Sequence, residues 1–337
     1  MKKILPIIII FLTTVSFAQD IHFSQYNMSP LTLNPAMTGF FNGCYRLAAN
    51  YRSQWGSIGD PYQTVSASVD FTAFKGTLKN DYLGVGAMFY RDAAGRSNFG
   101  TTTYNFSIAY AKGLDRRGTN LIAVGLQGGL FQRGMDLEGL IFDSQYDGLN
   151  GDPNLPSYET INENLMLVDA GAGVLGFFQP SDNFNFYLGA SYTHVTQPDV
   201  SMMAAEEILY ARTTASGGAN IHFSDQFALV PTFYLQMQGP SREIDGGAFF
   251  KFKLDNYRDE ETSVSFGLLG RFADPLFDAI LLAARMDYKT LSIGLSYDIN
   301  VSELTKASNL RGGPEVALMY TGKCSSGGKG RIYCPRF

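Results

Sequence analysis

Leu291-Ser292-Ile293-Gly294-Leu295-Ser296-Tyr297-Asp298-Ile299 places every large apolar side chain on one face of an extended chain and only Ser, Gly and Asp on the other. Successive side chains of a strand point to opposite faces, so this period of two predicts a strand with one apolar face. Val65-Ser66-Ala67-Ser68-Val69-Asp70-Phe71 and Tyr104-Asn105-Phe106-Ser107-Ile108-Ala109-Tyr110 repeat the pattern. Phe184-Asn185-Phe186 leads into Leu188-Gly189-Ala190-Ser191-Tyr192 in the same way. Working outward, fourteen segments read as strands: 45–53, 62–71, 82–91, 101–112, 119–132, 167–178, 184–194, 209–222, 226–236, 245–254, 262–272, 276–287, 290–299 and 314–323. Most have about the 9–11 residues that a tilted strand needs to cross a bilayer.

Two all-β architectures compete for such strands. A soluble sandwich turns the apolar face inward and shows water a charged face. An outer-membrane barrel turns the apolar face to lipid and fills its lumen with small or polar residues. Only 17% of the 337 residues are charged, against about 25% in a soluble domain, and the polar faces are mostly Ser, Gly, Asn and Ala. Tyr and Phe recur at strand ends, where aromatic girdles sit. Connections 113–118, 179–183, 223–225 and 288–289 are short, whereas 133–166, 195–208 and 300–313 are long. Short periplasmic turns with long outer loops are the outer-membrane arrangement. The expectation is an all-β chain, a transmembrane antiparallel barrel of about 14 strands. Its even count returns both ends to the periplasmic side. A formal net charge of −5 argues against nucleic acid, which calls for a basic stripe.

Residues 1–18 read as a signal peptide: Lys2 and Lys3, the apolar run Leu5 to Leu12, and the small-x-small end Ser16-Phe17-Ala18. Export permits disulfides. Cys324 and Cys334 enclose a short glycine-rich segment and could close a small loop, leaving Cys44 over; three free thiols are the other reading. Residues 19–43, with Pro30 and Pro35 and the aromatics Phe23, Tyr26, Phe40 and Phe41, form an arm that either plugs the lumen or lies in the periplasm. Residues 44–323 form the barrel, and 324–337 a C-terminal periplasmic tail.

Three blocks carry a family resemblance. The first is Gln19-Asp20-Ile21-His22-Phe23-Ser24-Gln25-Tyr26, with Asn34-Pro35-Ala36 and Tyr51-Arg52-Ser53-Gln54-Trp55 following. The second is Tyr187-Leu188-Gly189-Ala190-Ser191 with Gln197-Pro198; the third is Ile293 to Asn300 with Glu315-Val316-Ala317-Leu318, ahead of a terminal Cys334-Pro335-Arg336-Phe337. In this order and spacing they resemble the PorP/SprF family of type IX secretion system membrane proteins. The resemblance implies an outer-membrane barrel working with the type IX machinery in the periplasm. It also implies a role in secreting a large adhesin and attaching it to the surface, in some bacteria linked to gliding motility.

Candidate functional residues follow from parity. Arg46, Asn50 and Arg52 share one face of the first strand. Arginine on the lipid face near the midplane costs about 2–4 kcal/mol, so they face the lumen. Asp70 and Asp298 lie on lumen faces too, and Glu315 opens the strand that closes on the first, so Arg52 and Glu315 are expected to meet across the seam. Trp55 reads as a girdle aromatic or part of a ligand platform with Gln54 and Tyr51. Asp143, Asp147, Asn150 and Asp152 crowd one loop, but without EF-hand spacing they read as a solvated acidic loop. His22, His194 and His222 are the only histidines, and strand topology sets His194 and His222 at opposite rims. No triad is recognisable, so no catalytic residue, metal or cofactor is expected. A diffusion channel or hydrophobic-solute transporter is the competing function, and an outer-membrane hydrolase the third.

Overall fold

The computed structural model describes residues 20–74, 80–138, 140–146, 148, 150–152, 154–203, 206–254, 262–273, 276–302 and 305–324. The expected signal peptide therefore lies outside the described residues. Fourteen strands occur among them: β1 Tyr45–Gln54, β2 Tyr62–Ala73, β3 Tyr82–Ala94, β4 Phe99–Gly113, β5 Leu121–Gly134, β6 Asn164–Ser181, β7 Phe184–Thr193, β8 Arg212–His222, β9 Phe227–Gln238, β10 Ser241–Lys253, β11 Thr262–Ala273, β12 Leu276–Tyr288, β13 Leu291–Asn300 and β14 Arg311–Gly322. Each pairs antiparallel with its sequence neighbours, and β1 pairs with β14 to close the barrel. Closure leaves no sheet edge, which a bilayer would not tolerate.

The sheet is inside out relative to a soluble protein. Phe106, Val168 and Phe266 stand on its outer face 71%, 67% and 56% exposed, whereas Arg52 and Asp70 are 1% and 0% exposed. Aliphatic and aromatic side chains thus face lipid, and the charged ones turn inward because lipid offers them neither water nor partners. Most strands extend the expected segments by a few residues, whereas β8 begins only at Arg212 rather than 209; β10 begins at Ser241 rather than 245, since the turn before it is only the two residues 239–240. That turn is on the outer end, as are the last residue of β11 and the first of β12, so the loop asymmetry rests mainly on 135–163 and 194–211.

Residues 20–43 lie inside the barrel. They run from the outer half of the lumen, where Asp20 meets His194, to the inner end, where Cys44 leads into β1. Short turns Tyr26–Met28, Pro30–Leu33 and Pro35–Met37 make the arm compact. Asn34 caps the last of them, accepting from Ala36 N at 2.8 Å, with Pro35 at the first position, where its missing N–H costs nothing.

The inner half of the lumen is an apolar core. Leu33, Ala36, Met37 and Phe40 of the arm pack with Tyr82, Leu121, Leu175, Phe177 and Tyr187 of the wall. Two wall glycines make the seat: a Cβ at Gly84 would collide with Thr38 O, and one at Gly125 with the Pro35 and Ala36 backbone. Gly125→Leu is therefore expected to unseat the arm, at about 1–3 kcal/mol or more for overpacking. Limited proteolysis at the arm, protected in the parent and cut in the variant, checks this.

Cys44 is bonded to Cys324, not Cys324 to Cys334. Cys44 immediately precedes β1 and Cys324 follows β14, whose register sets Tyr45 opposite Gly322, so their Cα atoms are 5.1 Å apart despite a sequence separation of 280. Spacing along the chain misled; barrel closure decides. Cys334 lies outside the described residues.

Candidate functional site

The outer half of the lumen holds two ionic networks that grip the arm. The first spans the closing seam. Arg52 on β1 donates from Nη2 to Asp298 Oδ2 on β13 at 2.6 Å and from Nη1 to His22 O on the arm at 2.6 Å. Glu315 on β14 lies opposite Arg52 in register, but its Oε2 is 3.9 Å from Arg52 Nε. The expected seam pair is thus the longer of two contacts. Glu315 is committed to the arm instead, accepting from Ser24 N at 2.7 Å and Gln25 N at 2.9 Å. Ser24 Oγ donates to Asp298 Oδ1 at 2.7 Å.

Arg271 on β11 completes this network. Its Nη1 donates to Asp298 Oδ2 at 2.8 Å, its Nε to Asp245 Oδ1 at 3.2 Å, and its Nη2 to Ser24 Oγ at 3.0 Å. Glu243 stands 3.7 Å from Arg271 Nε and 3.4 Å from His22 Nδ1. Four buried carboxylates, Glu243, Asp245, Asp298 and Glu315, therefore share the guanidinium groups of Arg52 and Arg271.

The second network latches the start of the arm. Asp20 Oδ2 lies 2.8 Å from His194 Nε2 and 2.7 Å from Arg212 Nη1, while Tyr90 OH donates to Oδ1 at 3.1 Å. His194 Nδ1 is 2.8 Å from Asp169 Oδ2. His194 is the first residue of the outer loop 194–211 and has φ +56°, a left-handed backbone that side-chain contacts must hold. Burial opposes the charge on Asp20, but Arg212 and His194 hold its carboxyl well below the usual range. Burial likewise opposes charge on His194, yet Asp169 and Asp20 push it up to about 9.

These shifts set a pH window. A depressed carboxyl lends stability above its ordinary value and loses it as pH falls through the depressed one. A raised imidazole lends stability below its ordinary value and loses it as pH climbs through the raised one. The latch should hold across neutrality and loosen above pH about 9. Protease accessibility of the arm against pH should show that alkaline step in the parent and none in His194→Asn, whose arm is already loose at neutral pH.

At the inner end Arg46 forks onto Asp70, with Nε to Oδ1 at 3.0 Å and Nη2 to Oδ2 at 2.8 Å. It also donates to Met37 O at 3.0 Å and stacks on Phe41 at 4.8 Å, while Asp70 accepts from Gly39 N at 2.7 Å. Arg46, Arg52, Asp70, Asp298 and Glu315 are therefore all lumen residues, and all five serve the arm. Trp55 is not one of them. It sits at the outer rim past β1, its N donating to Gly312 O at 2.8 Å and its ring edge-on to Tyr62 at 5.3 Å.

Parity arguments at the first strand missed Arg212, Arg271, Glu243, Asp245, Asp169 and the arm residues Asp20, His22 and Ser24. A signal was present in the wall: Asp169, Arg212 and Arg271 are each the lone carboxylate or cation of a strand, and Glu243 and Asp245 share one face of β10. The acidic outer loop spends itself locally, Asp152 accepting from Asn154 N at 2.9 Å and Nδ2 at 2.8 Å. Asp147 lies outside the described residues, and no cluster fit to hold a metal occurs among them. Beside Asn27 a cavity of about 20 Å³ remains, lined in part by Lys251, Arg285 and Asp287. It has room for one water.

Solved structures share this fold. The toluene transporter TbuX of Ralstonia pickettii superposes with a TM-score of 0.51 at 11% identity, covering 88% of this chain and 94% of that one. The monoaromatic hydrocarbon channel CymD gives a TM-score of 0.50 at 11% identity, with 88% and 93% covered. At such identity the likeness is one of fold. No curated protein sequence matches the chain. The family model for type IX secretion system membrane protein PorP/SprF matches residues 15–320. With the closed, lipid-faced barrel and nearly the whole chain matched, this protein belongs to the PorP/SprF family of type IX secretion and resides in the outer membrane.

Proposed function

We propose that this barrel is a closed, non-catalytic partner, which holds a large exported adhesin at the cell surface while the type IX machinery engages its periplasmic face. The observation that carries the reading is the filled lumen. Residues 20–43 contact strands on every side of the wall, from Asp70 on β2 to Glu315 on β14, so among the described residues the arm stands across the bore that a solute would need. What it offers instead is its ends. The outer loops 135–163 and 194–211 carry exposed Tyr146, Tyr158, Met203 and Ile208, an amphipathic surface suited to a protein partner. His194 itself is not available as a general base, since its two ring nitrogens each lie against a carboxylate. Gliding motility would follow where the adhesin held is a motility adhesin.

The competing reading is a hydrophobic-solute channel, as TbuX is a toluene transporter and CymD a monoaromatic hydrocarbon channel, and the apolar inner half of the lumen favours it. It requires the arm to leave its seat. Co-purification separates the two. Tagged barrel from gently solubilised outer membrane should bring down a large surface protein and periplasmic type IX components. A barrel that comes out alone would overturn the partner reading.

A further inference from the structure

Cys44 and Cys324 pose a pairing problem that the folded barrel solves. In an unfolded chain the nearer partner of Cys324 is Cys334, ten positions on, while Cys44 is 280 positions away. Loop-closure statistics favour the local pair by roughly 150-fold, the ratio of loop lengths to the power 3/2. Only the β1–β14 register brings Cys44 to 5.1 Å of Cys324. The backbone there is held firmly: Cys44 N donates to Gly322 O at 2.9 Å, and Cys44 O accepts from Thr72 N at 2.9 Å. Both cysteines sit at the barrel end where β1 begins and β14 finishes, the periplasmic end by the turn pattern. Cys324 is exposed and Cys44 half-buried, so an enzyme in the periplasm can reach the pair.

We propose that Cys44 and Cys324 form an assembly-dependent oxidation site, acted on by a periplasmic dithiol–disulfide carrier only after β1 and β14 have closed. The exposed Cys324 thiolate attacks the carrier's disulfide, forming a mixed disulfide and releasing one carrier thiolate. The Cys44 thiolate then attacks Sγ of Cys324 and displaces the second. The carrier gains two electrons and the two protons the cysteines gave up. The product bond joins the root of the arm, both sides of the seam and the start of the tail. Oxidation that came before closure would trap the local pair and leave the seam unstapled.

Pulse-labelled cells carrying the full-length protein, acid-quenched and treated with a thiol-capping maleimide, test this. Folded and unfolded barrel separate by mobility in unheated detergent gels, and peptide mapping identifies the bond in each. The Cys44–Cys324 bond, and any mixed disulfide with the carrier, is expected in the folded species alone, with the cysteines of the unfolded species reduced. Cys334→Ser should leave both its yield and timing unchanged. A Cys44–Cys324 bond in the unfolded species would overturn the proposal. So would a folded parent in which Cys324 is bonded to Cys334.

Discussion

Arg52→Ala is expected to remove most of the folded barrel. The substitution leaves Asp298 with Arg271 as its sole guanidinium and Glu315 with the backbone donors Ser24 N and Gln25 N but no cation, while His22 O loses a donor at 2.6 Å. Breaking a buried pair by removing one partner costs about 3–5 kcal/mol, because the remaining charge has no water to return to. That is a large share of a typical stability of about 5–15 kcal/mol. The loss falls at the closing seam, where the arm bridges β1 to β13 and β14, so closure itself should suffer. Urea titration followed by gel mobility without heating reads the effect. Arg52→Lys should recover part of it, since the charge returns but not the fork that reaches Asp298 and His22 together. A variant that folds normally and merely changes its ion selectivity would mean that Arg52 lines a pore.

Deleting residues 20–42 is expected to have the second large effect and the opposite character. It keeps every strand, the seam and Cys44, but empties the lumen. The side chains that gripped the arm are then solvated rather than stranded, because water enters the outer half in its place. The apolar inner half, including Leu121, Leu175, Phe177 and Tyr187, becomes exposed, which lowers stability without preventing closure. Uptake of small hydrophilic solutes by proteoliposomes should rise from the background of empty vesicles to a porin-like rate. Uptake equal to the parent's would mean that something other than the arm closes the bore.

Much of this architecture is legible in the sequence because a lipid-facing strand obeys one strict rule. Leu291 to Ile299 alternates because one face meets hydrocarbon and the other does not, and the register of β12, β13 and β14 follows from that face. The lumen positions of Arg46, Arg52, Asp70, Asp298 and Glu315 follow from the same parity. Their partners do not. Arg271 and Asp298 meet from β11 and β13 across an intervening strand, and Asp20 meets His194 across 174 positions. No periodicity encodes such contacts; they depend on barrel curvature and on the path of an arm that has no period. The disulfide was hidden for the same reason, since proximity along the chain and proximity around a closed ring differ. The apolar inner lumen escaped because Leu175 and Phe177 break the small-and-polar lumen pattern, as they must to hold Leu33, Ala36 and Phe40.

On the proposed function the barrel is closed by its own arm and works as a partner, not a conduit. Purified full-length protein, with its Cys44–Cys324 bond intact, should be inserted into a planar bilayer at neutral pH and its ionic current recorded. The arm, latched at Asp20 and packed at Phe40, predicts a silent trace. Steady, constitutive conductance from the intact protein would show that the arm does not close the bore.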